Sequence, residues 1–436
     1  MNTGLLTDHY ELTMLRAALG SGAADRRTVF EVFARHLPNG RRYGVMAGNA
    51  RFTEALADFR FGADELDFLR GSGVVDEPAA SYLAGYRFTG SIWGYQEGEC
   101  YFPGSPILVV QGSFAEAVVL ETLVLSVLNH DCAIASAASR MKSAAGQRPI
   151  IEMGSRRTHE RAAVAAARAA YIAGFAATSN LRAGLDYHVP TAGTSAHAFT
   201  LVHDSERQAF AVQLRALGSA TTLLVDTYDV GQAVRTAVEL AGPELGAIRI
   251  DSGDLPVVAR QVRAQLDGLG ATATRIVVTS DLDEYSIAAL AAAPVDGYGV
   301  GTALVTGSGA PTAALVYKLV ARSTGEQGTA PLLPVSKLSA GKPSRGGRKW
   351  AARAIDKAGT ATAELVSRAQ DVGRPGRRPL LQRLVRDGEI LDAGSLDAAR
   401  EHHRHALAEL PPHAQRLSRG SPAIPTIFEP GSGDGR

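Results

Sequence analysis

The sequence is poor in several features that would assign a protein class at once. Its 436 residues include only two cysteines, Cys100 and Cys132, and no CxxC pair, which argues against a disulfide scaffold and a zinc–thiolate cluster. Charge of one sign is not in excess, because 45 Lys and Arg residues face 44 Asp and Glu residues. Nucleic acids and anionic membrane surfaces are therefore not expected partners. We expect small-molecule partners and a reducing, cytoplasmic setting.

Long hydrophobic runs are also lacking. The stretch AEAVVLETLVLSVLNH is interrupted by Glu116 and Glu121 and is shorter than the roughly 20 apolar residues of a membrane helix, so it predicts a buried helix. The first residues carry Asp8 and Glu11 among apolar positions and lack the cationic start and unbroken apolar core of a signal peptide. No membrane association is expected.

Three zones of different composition follow one another along the chain. Residues 1–115 mix a helical pattern with short strand-like runs, which predicts an α+β domain. Residues 116–320 alternate apolar runs with Ala-rich helical stretches, the pattern of parallel βα units. Residues 321–436 are more basic and Gly-rich, contain a predicted strand pair, and end after about residue 410 in a predicted loose tail. A chain of this length predicts two domains, or one large barrel with additions.

Polar residues and glycines of the middle zone come directly after its apolar runs. The carboxyl ends of parallel strands meet on one face of a (β/α) barrel, whereas a doubly wound open sheet gathers ligands around one switch point. Seven such strand ends favour a closed barrel with one shared site. The predicted strand-end residues are Arg156, Arg157, Ser179, Asn180, His197, Asp226, Asp251, Asp254, Ser280, Asp281, Gly299 and Gly301.

The motif IRIDSGDL predicts one cation and two acids at a common mouth. Strand alternation points Arg249 and Asp251 to the same side, and Gly253 lets the chain turn so that Asp254 lies near them. Such a group binds an anionic ring substrate, ribose hydroxyls or a metal ion, or else forms a structural ion pair at the barrel rim. Arg156, in EMGSRR, suits a carboxylate or a phosphate, or simply begins a solvated helix.

The glycine-rich string VDGYGVGT predicts a phosphate site formed by backbone N–H groups after the last strands. By itself the signal is weak, because many loops are rich in glycine.

His197 ends the run of small residues in TAGTSAH and begins a helix-like segment. A single histidine is more often a packed or surface residue than a catalyst. Here Asp226, at the end of TTLLVDT, is available to fix the imidazole tautomer. The pair predicts a general base or a nucleophile.

These strings together resemble the nicotinate phosphoribosyltransferase family over most of the chain. They occur in family order as LTDHYELTM, EMGSRR, GTSAH, DTYD, RIDSGDL, TSDLDE, GYGVGT, YKLV and KLSAGKPSRGGRK. The resemblance implies an α/β fold, with an irregular (β/α) barrel of the type II phosphoribosyltransferase kind and a second α+β domain built from the N- and C-terminal segments. It also implies a homodimer with shared active sites.

The resemblance further implies an activity and a role for each site residue. Nicotinate and phosphoribosyl pyrophosphate would give nicotinate mononucleotide and pyrophosphate, with Mg²⁺ present and with ATP hydrolysis coupled through a phosphorylated histidine. His197 resembles that histidine, Asp226 its hydrogen-bond partner, and Asp251 the ribose contact. The implied substrate-binding set is Tyr10 (from the partner subunit, on the pyridine ring), Met153, Arg156, Ser179, Arg249 and Asp254. The implied phosphate-binding set is Ser280, Asp281, Gly299, Gly301 and Thr302.

Two positions bear on substrate choice. Met153 stands where relatives commonly have an aromatic residue, and its thioether can still cover a ring. Ser179 stands where nicotinamide-using relatives have an acid, which would accept from an amide but repel a carboxylate, so serine favours nicotinate. The alternatives are a nicotinamide phosphoribosyltransferase, a quinolinate phosphoribosyltransferase, which lacks the phosphorylated histidine and is shorter, and a noncatalytic nucleotide-binding barrel.

Overall fold

The computed structural model describes residues 2–324, 330–337, 345–370, 374–392 and 394–430. Part of the post-barrel string KLSAGKPSRGGRK, residues 338–344, lies outside the described residues. The chain divides into two compact units, Met1–Ser136 with Ala310–Arg436, and Ala137–Gly309. The changes in sequence composition at 115/116 and 320/321 do not coincide with these boundaries.

The first part of the chain combines helices with short strands. In order, its elements are α1 (His9–Ser21), β1 (Arg27–Ala34), β2 (Gly44–Val45), α2 (Asn49–Ala57), α3 (Ala63–Gly71), α4 (Glu77–Ala84), β3 (Ser91–Tyr95), β4 (Cys100–Tyr101), β5 (Leu108–Ser113), α5 (Phe114–Val118) and α6 (Glu121–Ala145). The strand-like runs of the sequence correspond to β1, β3 and β5.

The middle part alternates strands and helices. Its elements are β6 (Ile150–Glu152), α7 (Glu160–Ile172), β7 (Ala177–Thr178), α8 (Leu181–Tyr187), α9 (His197–Leu201), α10 (Glu206–Leu217), β8 (Thr222–Leu224), α11 (Val230–Ala241), β9 (Ala247–Ile250), α12 (Leu255–Gly268), β10 (Arg275–Val278), α13 (Glu284–Ala289), β11 (Gly297–Val300) and α14 (Thr302–Val305).

The last part is mostly β-structure. Its elements are β12 (Leu315–Ser323), β13 (Leu332–Pro334), β14 (Trp350–Ile355), β15 (Ala361–Ser367), β16 (Arg377–Pro379), β17 (Leu381–Arg386), β18 (Glu389–Ile390), α15 (Leu396–Ala408) and β19 (Thr426–Phe428). Short 3₁₀ helices lie at Gly4–Leu6, Pro38–Gly40, Leu290–Ala292 and Pro412–Gln415.

The unit made from both chain ends is organised around an antiparallel sheet. Its strands, among the described residues, have the order β13-β12-β1-β5-β3-β17-β18. Because β12 pairs with β1 over seven register positions from Thr28↔Arg322 to Ala34↔Leu315, the chain after the middle unit returns to the first strand. A second sheet has the order β16-β14-β15-β19. The α+β domain from N- and C-terminal segments is thereby formed.

The middle unit contains the predicted parallel sheet, in the order β7-β6-β11-β10-β9-β8, and each neighbouring pair is parallel. The α/β fold with an irregular barrel-like sheet is confirmed. Six of the seven expected runs form strands within the described residues 137–309; the seventh, YHVPTAG, contributes a single parallel bridge from Thr191 to Thr178. Pro190 accepts a hydrogen bond from Thr178 N–H at 2.9 Å but has no N–H to donate, so strand pairing does not continue through this run. The expectation of seven full strands is therefore wrong. The sheet has six strands among the described residues and is curled but open.

Several strand-end loops finish in a side chain that caps the next helix. Asn180, Asp229, Asp254 and Asp283 each accept a hydrogen bond from a backbone N–H in the first turn of α8, α11, α12 and α13, respectively. Such caps satisfy N–H groups that have no partner within the helix. Part of the polar signal at the strand ends therefore comes from helix capping.

The apolar stretch of residues 114–145 forms α5 and α6. By length and composition this 32-residue span is apolar enough to cross a membrane, and 67% of its most apolar window is buried inside the structure. The burial agrees with the predicted core helix.

The segment after residue 410, predicted as a loose tail, has structure up to residue 430. Strand β19 pairs in parallel with β15, and Ile424 is 3% exposed. Both guanidinium Nη atoms of Arg377 donate to Glu429 at 2.8 Å. A short buried apolar run and one bidentate ion pair hold this segment, and neither is apparent from its Pro- and Gly-rich composition.

Candidate active site

A cavity of about 240 Å³ opens at the carboxyl ends of the parallel strands, entirely within the unit Ala137–Gly309. We call it the strand-end pocket. Its lining residues are Met153, Arg156, Arg157, Arg249, Asp251, Thr279, Ser280, Asp281, Gly299, Gly301 and Thr302. They lie in the last residues of β9 and β11 or in the segments that follow β6, β9, β10 and β11, so the convergence of strand ends predicted from the sequence does occur.

Arg249 and Asp251, two residues apart at the end of β9, both line this pocket. The Arg249 Nη1 atom donates to the hydroxyl of Thr194, while its Nε is buried and has no hydrogen-bond partner among the described residues. Burial lowers the pKa of Arg249 below its ordinary value, against the opposing effect of Asp251 and Asp226. The guanidinium therefore has an unused donor and a strong need for an anion.

The carboxylate of Asp251 is held in place by a neighbour. Its Oδ1 accepts a hydrogen bond from the hydroxyl of Thr279, which follows β10 and is 5% exposed. One carboxylate oxygen is thus fixed to the protein, and the other is left for a ligand in the pocket.

His197 is the first residue of α9, and its side chain is 39% exposed. Its Nε2 lies 3.1 Å from Oδ1 of Asp226, whose side chain is only 2% exposed. The other Asp226 oxygen accepts the backbone N–H of Asp251 at 2.9 Å and the hydroxyl of Ser252 at 2.6 Å. Asp226 therefore ties the imidazole to the chain that carries Asp251, as the sequence predicted for an orienting acid.

Tight packing accounts for Gly299. A Cβ at this position would lie 2.6 Å from Thr279 Cγ2 and 2.7 Å from Met153 Sδ, closer than atoms can approach. Met153 thus forms a wall of the pocket directly against the glycine of β11. The absence of a side chain at Gly299 lets Thr279 and Met153 pack directly against its backbone.

Ser280 has a backbone φ of 108°, a region that residues other than glycine rarely adopt and that costs about 1–3 kcal/mol. Its C=O accepts the N–H of Leu282 at 2.8 Å, which forms a tight turn beside the pocket. Strain of this kind at a pocket is typical of a functional turn.

Five predicted site residues do not line the strand-end pocket: His197 and Asp226, described above, and Asp254, Ser179 and Tyr10. Asp254 is exposed and accepts the N–H of Val257 at 3.3 Å as the cap of α12. Ser179 is exposed, and its N–H donates to the Glu152 C=O at 2.8 Å. Tyr10 is 43% exposed on α1 in the other unit, and burial together with Glu121, Glu11 and Asp8 raises its pKa.

Three residues outside the predicted set also shape this site. Thr279 and Thr194 contact Asp251 and Arg249 through their hydroxyl groups, and Glu152 is fully buried at the end of β6. Thr279 directly precedes Ser280, and Glu152 directly precedes Met153. Their positions beside predicted strand ends are the only signal in the sequence that points to them.

No group of three or more His, Cys, Asp or Glu side chains in the described part of the chain is arranged to hold a metal ion. Two carboxylates, Asp251 and Asp281, do line the pocket. Mg²⁺ is commonly bound by one or two carboxylates together with substrate phosphates, so these residues fit an ion that arrives with a phosphorylated substrate.

Comparison with known proteins gives a consistent result. A family model described as the nicotinate phosphoribosyltransferase (NAPRTase) N-terminal domain matches residues 5–129. Nicotinate phosphoribosyltransferase pncB1 of Mycobacterium tuberculosis is 60% identical over 436 aligned residues, which cover 97% of this chain and 94% of the relative. Nicotinate phosphoribosyltransferase pncB2 of the same organism is 40% identical, over 95% of this chain and 89% of the relative.

A solved structure agrees with these relatives. The crystal structure of human nicotinic acid phosphoribosyltransferase matches with a TM-score of 0.81 and 25% sequence identity, and the match covers 97% of each chain. This chain therefore belongs to the nicotinate phosphoribosyltransferase family, enzymes that join nicotinate to the phosphoribosyl group of phosphoribosyl pyrophosphate on the way to NAD.

Proposed function

We propose that the chain makes nicotinate mononucleotide and pyrophosphate in the strand-end pocket and couples this reaction to ATP hydrolysis through His197. The observation that carries the proposal is the set of guanidinium groups of Arg156, Arg157 and Arg249 in one pocket. Among the described residues, neither Arg156 nor Arg157 has an acidic partner. Three cations face only two carboxylates in this pocket, those of Asp251 and Asp281, so the remaining positive charge favours anionic ligands, and the two substrates bring a carboxylate and several phosphates.

Arg249 binds the nicotinate carboxylate in this proposal. Its buried Nε has no partner among the described residues, and its Nη1 is fixed by Thr194, so the fork is oriented before the substrate arrives. A planar guanidinium matches a carboxylate with two parallel hydrogen bonds. Met153 lies in the same wall and covers the pyridine ring with its thioether.

The phosphoribosyl group lies along the glycine-containing segment after β11. Gly299, Gly301 and Thr302 line the pocket, and glycine lets a phosphate approach backbone N–H groups closely. Asp251 faces the ribose hydroxyls with the carboxylate oxygen that Thr279 does not occupy. The 5-phosphate is then bound by neutral donors, which leaves the arginines for pyrophosphate.

The chemical step is the transfer of C1 of the ribose from pyrophosphate to the ring nitrogen. As the C1–O bond breaks, the ribose gains positive charge, which the Asp251 carboxylate stabilises. The lone pair of the pyridine nitrogen then forms the C1–N bond, so no base has to remove a proton and positioning supplies much of the rate. Asp251 and Asp281 would hold Mg²⁺ together with the substrate phosphates, and the ion would supply neutralisation of charge on the departing pyrophosphate.

His197 receives the γ-phosphoryl group of ATP. With Nε2–H donated to Asp226, the lone pair on Nδ1 is free to attack the γ-phosphorus, and ADP leaves with the electrons of the broken P–O bond. Hydrolysis of phosphohistidine later returns the imidazole. The contact of Asp226 with the Asp251 N–H joins this histidine to the ribose-binding segment.

A homodimer fits the exposed apolar side chains of α8 and α9. The side chains of Leu181 and Leu185 on α8, and of Leu201 on α9, are 77%, 69% and 61% exposed. A second copy of the chain would cover them, and Tyr10 of that copy would stack on the pyridine ring. The two buried free cysteines suit a reducing cytoplasm.

Turnover of the purified full-length chain tests the function. Nicotinate, nicotinamide and quinolinate are each supplied with phosphoribosyl pyrophosphate and Mg²⁺, with and without ATP, and mononucleotide and pyrophosphate are quantified. We expect product from nicotinate, stimulated by ATP, and little from nicotinamide, because the Arg249 guanidinium in the pocket pairs with a carboxylate and not with a neutral amide. Equal or better use of nicotinamide or quinolinate, or no product from any base, would overturn the proposal.

A further inference from the structure

The carboxylate of Glu152 is buried at the end of β6 without a cationic partner. Its side chain is fully shielded from solvent, and among the described residues no Lys, Arg or His forms an ion pair with it. Burial raises the pKa of Glu152, against the opposing effect of its hydrogen bonds from Thr178 and Gly154. A carboxylate in such a site is retained only where its hydrogen bonds are needed.

Both carboxylate oxygens are used by hydrogen bonds. One accepts the backbone N–H of Gly154, and the other accepts the hydroxyl of Thr178. Glu152 is absent from the lining of the strand-end pocket. It therefore acts on its neighbours and not on the substrate.

Gly154, whose N–H donates to Glu152, is the first residue of the turn that carries the pocket residues Arg156 and Arg157. Arg157 N–H donates to the Gly154 C=O at 2.8 Å, which closes this turn. A Cβ on Gly154 would lie 2.9 Å from Glu152 Oε1 and 2.2 Å from Val305 Cγ1, so the backbone packs directly against the carboxylate. The conformation of residues 153–157 is thereby tied to Glu152.

The Thr178 contact extends the network to the neighbouring strand end. The Thr178 hydroxyl also accepts the N–H of Asn180 at 2.9 Å, and Asn180 Nδ2 donates to the hydroxyl of Ser155 at 2.9 Å. The loops that follow β6 and β7 are thus joined twice, once through Glu152 and once through Ser155.

Arg156 and Arg157 need such support. Both are exposed, and a long flexible side chain loses conformational entropy when it is fixed. A backbone turn that already places both guanidinium groups at the pocket reduces the loss of conformational entropy that accompanies binding.

We infer that Glu152 is a positioning residue that fixes the turn of residues 153–157 through Gly154 and Thr178, so that Arg156 and Arg157 bind the pyrophosphate end of phosphoribosyl pyrophosphate. The inference rests on the proposed function. In this inference Glu152 acts because its side chain is long enough to accept both hydrogen bonds, and not because it is negatively charged.

Two substitutions at Glu152 separate the effect of side-chain length from the effect of charge. Glu152→Gln keeps the side-chain length and still offers an oxygen to Gly154 N–H and an amide to the Thr178 hydroxyl, but has no charge. Glu152→Asp keeps the charge, but it is one methylene too short to contact both partners. Steady-state kinetics with nicotinate and phosphoribosyl pyrophosphate, and calorimetric binding of phosphoribosyl pyrophosphate with Mg²⁺, are measured for both.

We expect Glu152→Asp to raise the KM and Kd for phosphoribosyl pyrophosphate by about tenfold or more while kcat changes less than about threefold, and Glu152→Gln to stay within about threefold of the parent chain. A loss of correctly folded protein would lower kcat and leave the KM unchanged. An unchanged KM in the aspartate variant, or a glutamine variant as impaired as the aspartate one, would overturn the inference.

Thr178→Val supplies a second variant if Glu152→Asp does not fold. It removes the hydroxyl that bonds to Glu152 with little change in volume and should raise the same KM. The matched control is Thr236→Val, another buried threonine, whose hydroxyl contacts Gln232 on α11; it should leave the KM unchanged. If the parent chain binds no phosphoribosyl pyrophosphate, the proposed function fails, whereas a failure confined to these variants removes only the role of Glu152.

Discussion

Nε2 of His197 lies 3.1 Å from a carboxylate oxygen of Asp226, and the second oxygen of that carboxylate accepts two further donors, the Asp251 N–H and the Ser252 hydroxyl. Asp226 accepts these three hydrogen bonds on two oxygens, which an asparagine could not do, because its amide offers only one accepting oxygen. The imidazole is thereby held as the tautomer that carries its proton on Nε2.

Asp226→Asn should therefore uncouple ATP from synthesis. Its amide NH₂ group must face one of the three donors, so the imidazole loses its fixed tautomer, and the rate of ATP hydrolysis should fall about 100-fold or more. Acid-labile labelling from γ-³²P ATP measures the step, and His197→Ala should give no label. Ser252→Ala is the control, since it removes a donor to the same carboxylate without touching the imidazole. Undiminished labelling of the alanine variant at residue 197 would remove that histidine from the ATP step.

Arg249→Gln should weaken nicotinate binding. A charge-assisted pair with a carboxylate is worth about 1.5–3 kcal/mol, so the KM for nicotinate should rise about 10- to 100-fold, with a smaller change in the KM for phosphoribosyl pyrophosphate. Arg260→Gln, an exposed arginine on α12, is the control for loss of one positive charge. Equal KM values for nicotinate in the two variants would place Arg249 outside the base-binding contact.

Two substitutions at Ser280 separate the effect of backbone strain from the effect of the side-chain hydroxyl. At a φ of 108°, Ser280→Gly should relieve strain and raise the Tm, by an amount equivalent to about 1 kcal/mol, whereas Ser280→Ala keeps the strain and should not. Differential scanning calorimetry of both variants measures this. A glycine variant less stable than the alanine variant would show that this turn is not strained.

His403 makes the stability of the chain-end unit depend on pH. This residue of α15 is 3% exposed and its Nδ1 bonds to the Gly98 C=O at 2.8 Å. Burial lowers its pKa from 6.5 to about 4. Between these values the unfolded chain binds a proton that the folded chain does not, so stability is fully present above about pH 6.5 and falls by about 3 kcal/mol as the pH drops to 4.

His403→Asn tests this pH dependence. Asparagine keeps a donor near the position of Nδ1 but does not titrate, so the fall of Tm between pH 6.5 and 4 should become shallower, even if the variant is less stable at pH 8. His405→Asn, on the exposed side of the same helix (60% exposed side chain), should keep the slope of the parent chain. Parallel Tm–pH curves for the parent chain and the variant at residue 403 would contradict the assignment.

The parallel sheet could be predicted because each apolar run is short and followed by a polar residue or a glycine, and several runs are rich in β-branched residues, as in RIVVTSD for β10. The absence of the seventh strand could not be predicted. The missing N–H of Pro190 interrupts strand pairing only because Thr178 is its neighbour in the fold, and the sequence does not show that they are neighbours. The pairing of β12 with β1 joins residues far apart in the chain, and no local pattern encodes that distance.

The pocket was predicted more completely than the contacts that support it. Arg249, Asp251 and the glycines after β11 follow directly from strand ends meeting on one face. The hydroxyls of Thr194 and Thr279 look like ordinary loop residues until the three-dimensional fold sets them against Arg249 and Asp251. Asp254 was predicted from the same strand-end pattern but does not line the pocket, because a polar residue after a strand can also serve as the cap of the next helix.

A crystal structure of the full-length chain with nicotinate mononucleotide bound tests the central claim, that one pocket at the strand ends holds both parts of the product. We expect the pyridine carboxylate about 3 Å from the Arg249 guanidinium and the 5-phosphate against the backbone of Gly299, Gly301 and Thr302. A nucleotide bound elsewhere, with the strand-end pocket empty, would contradict it.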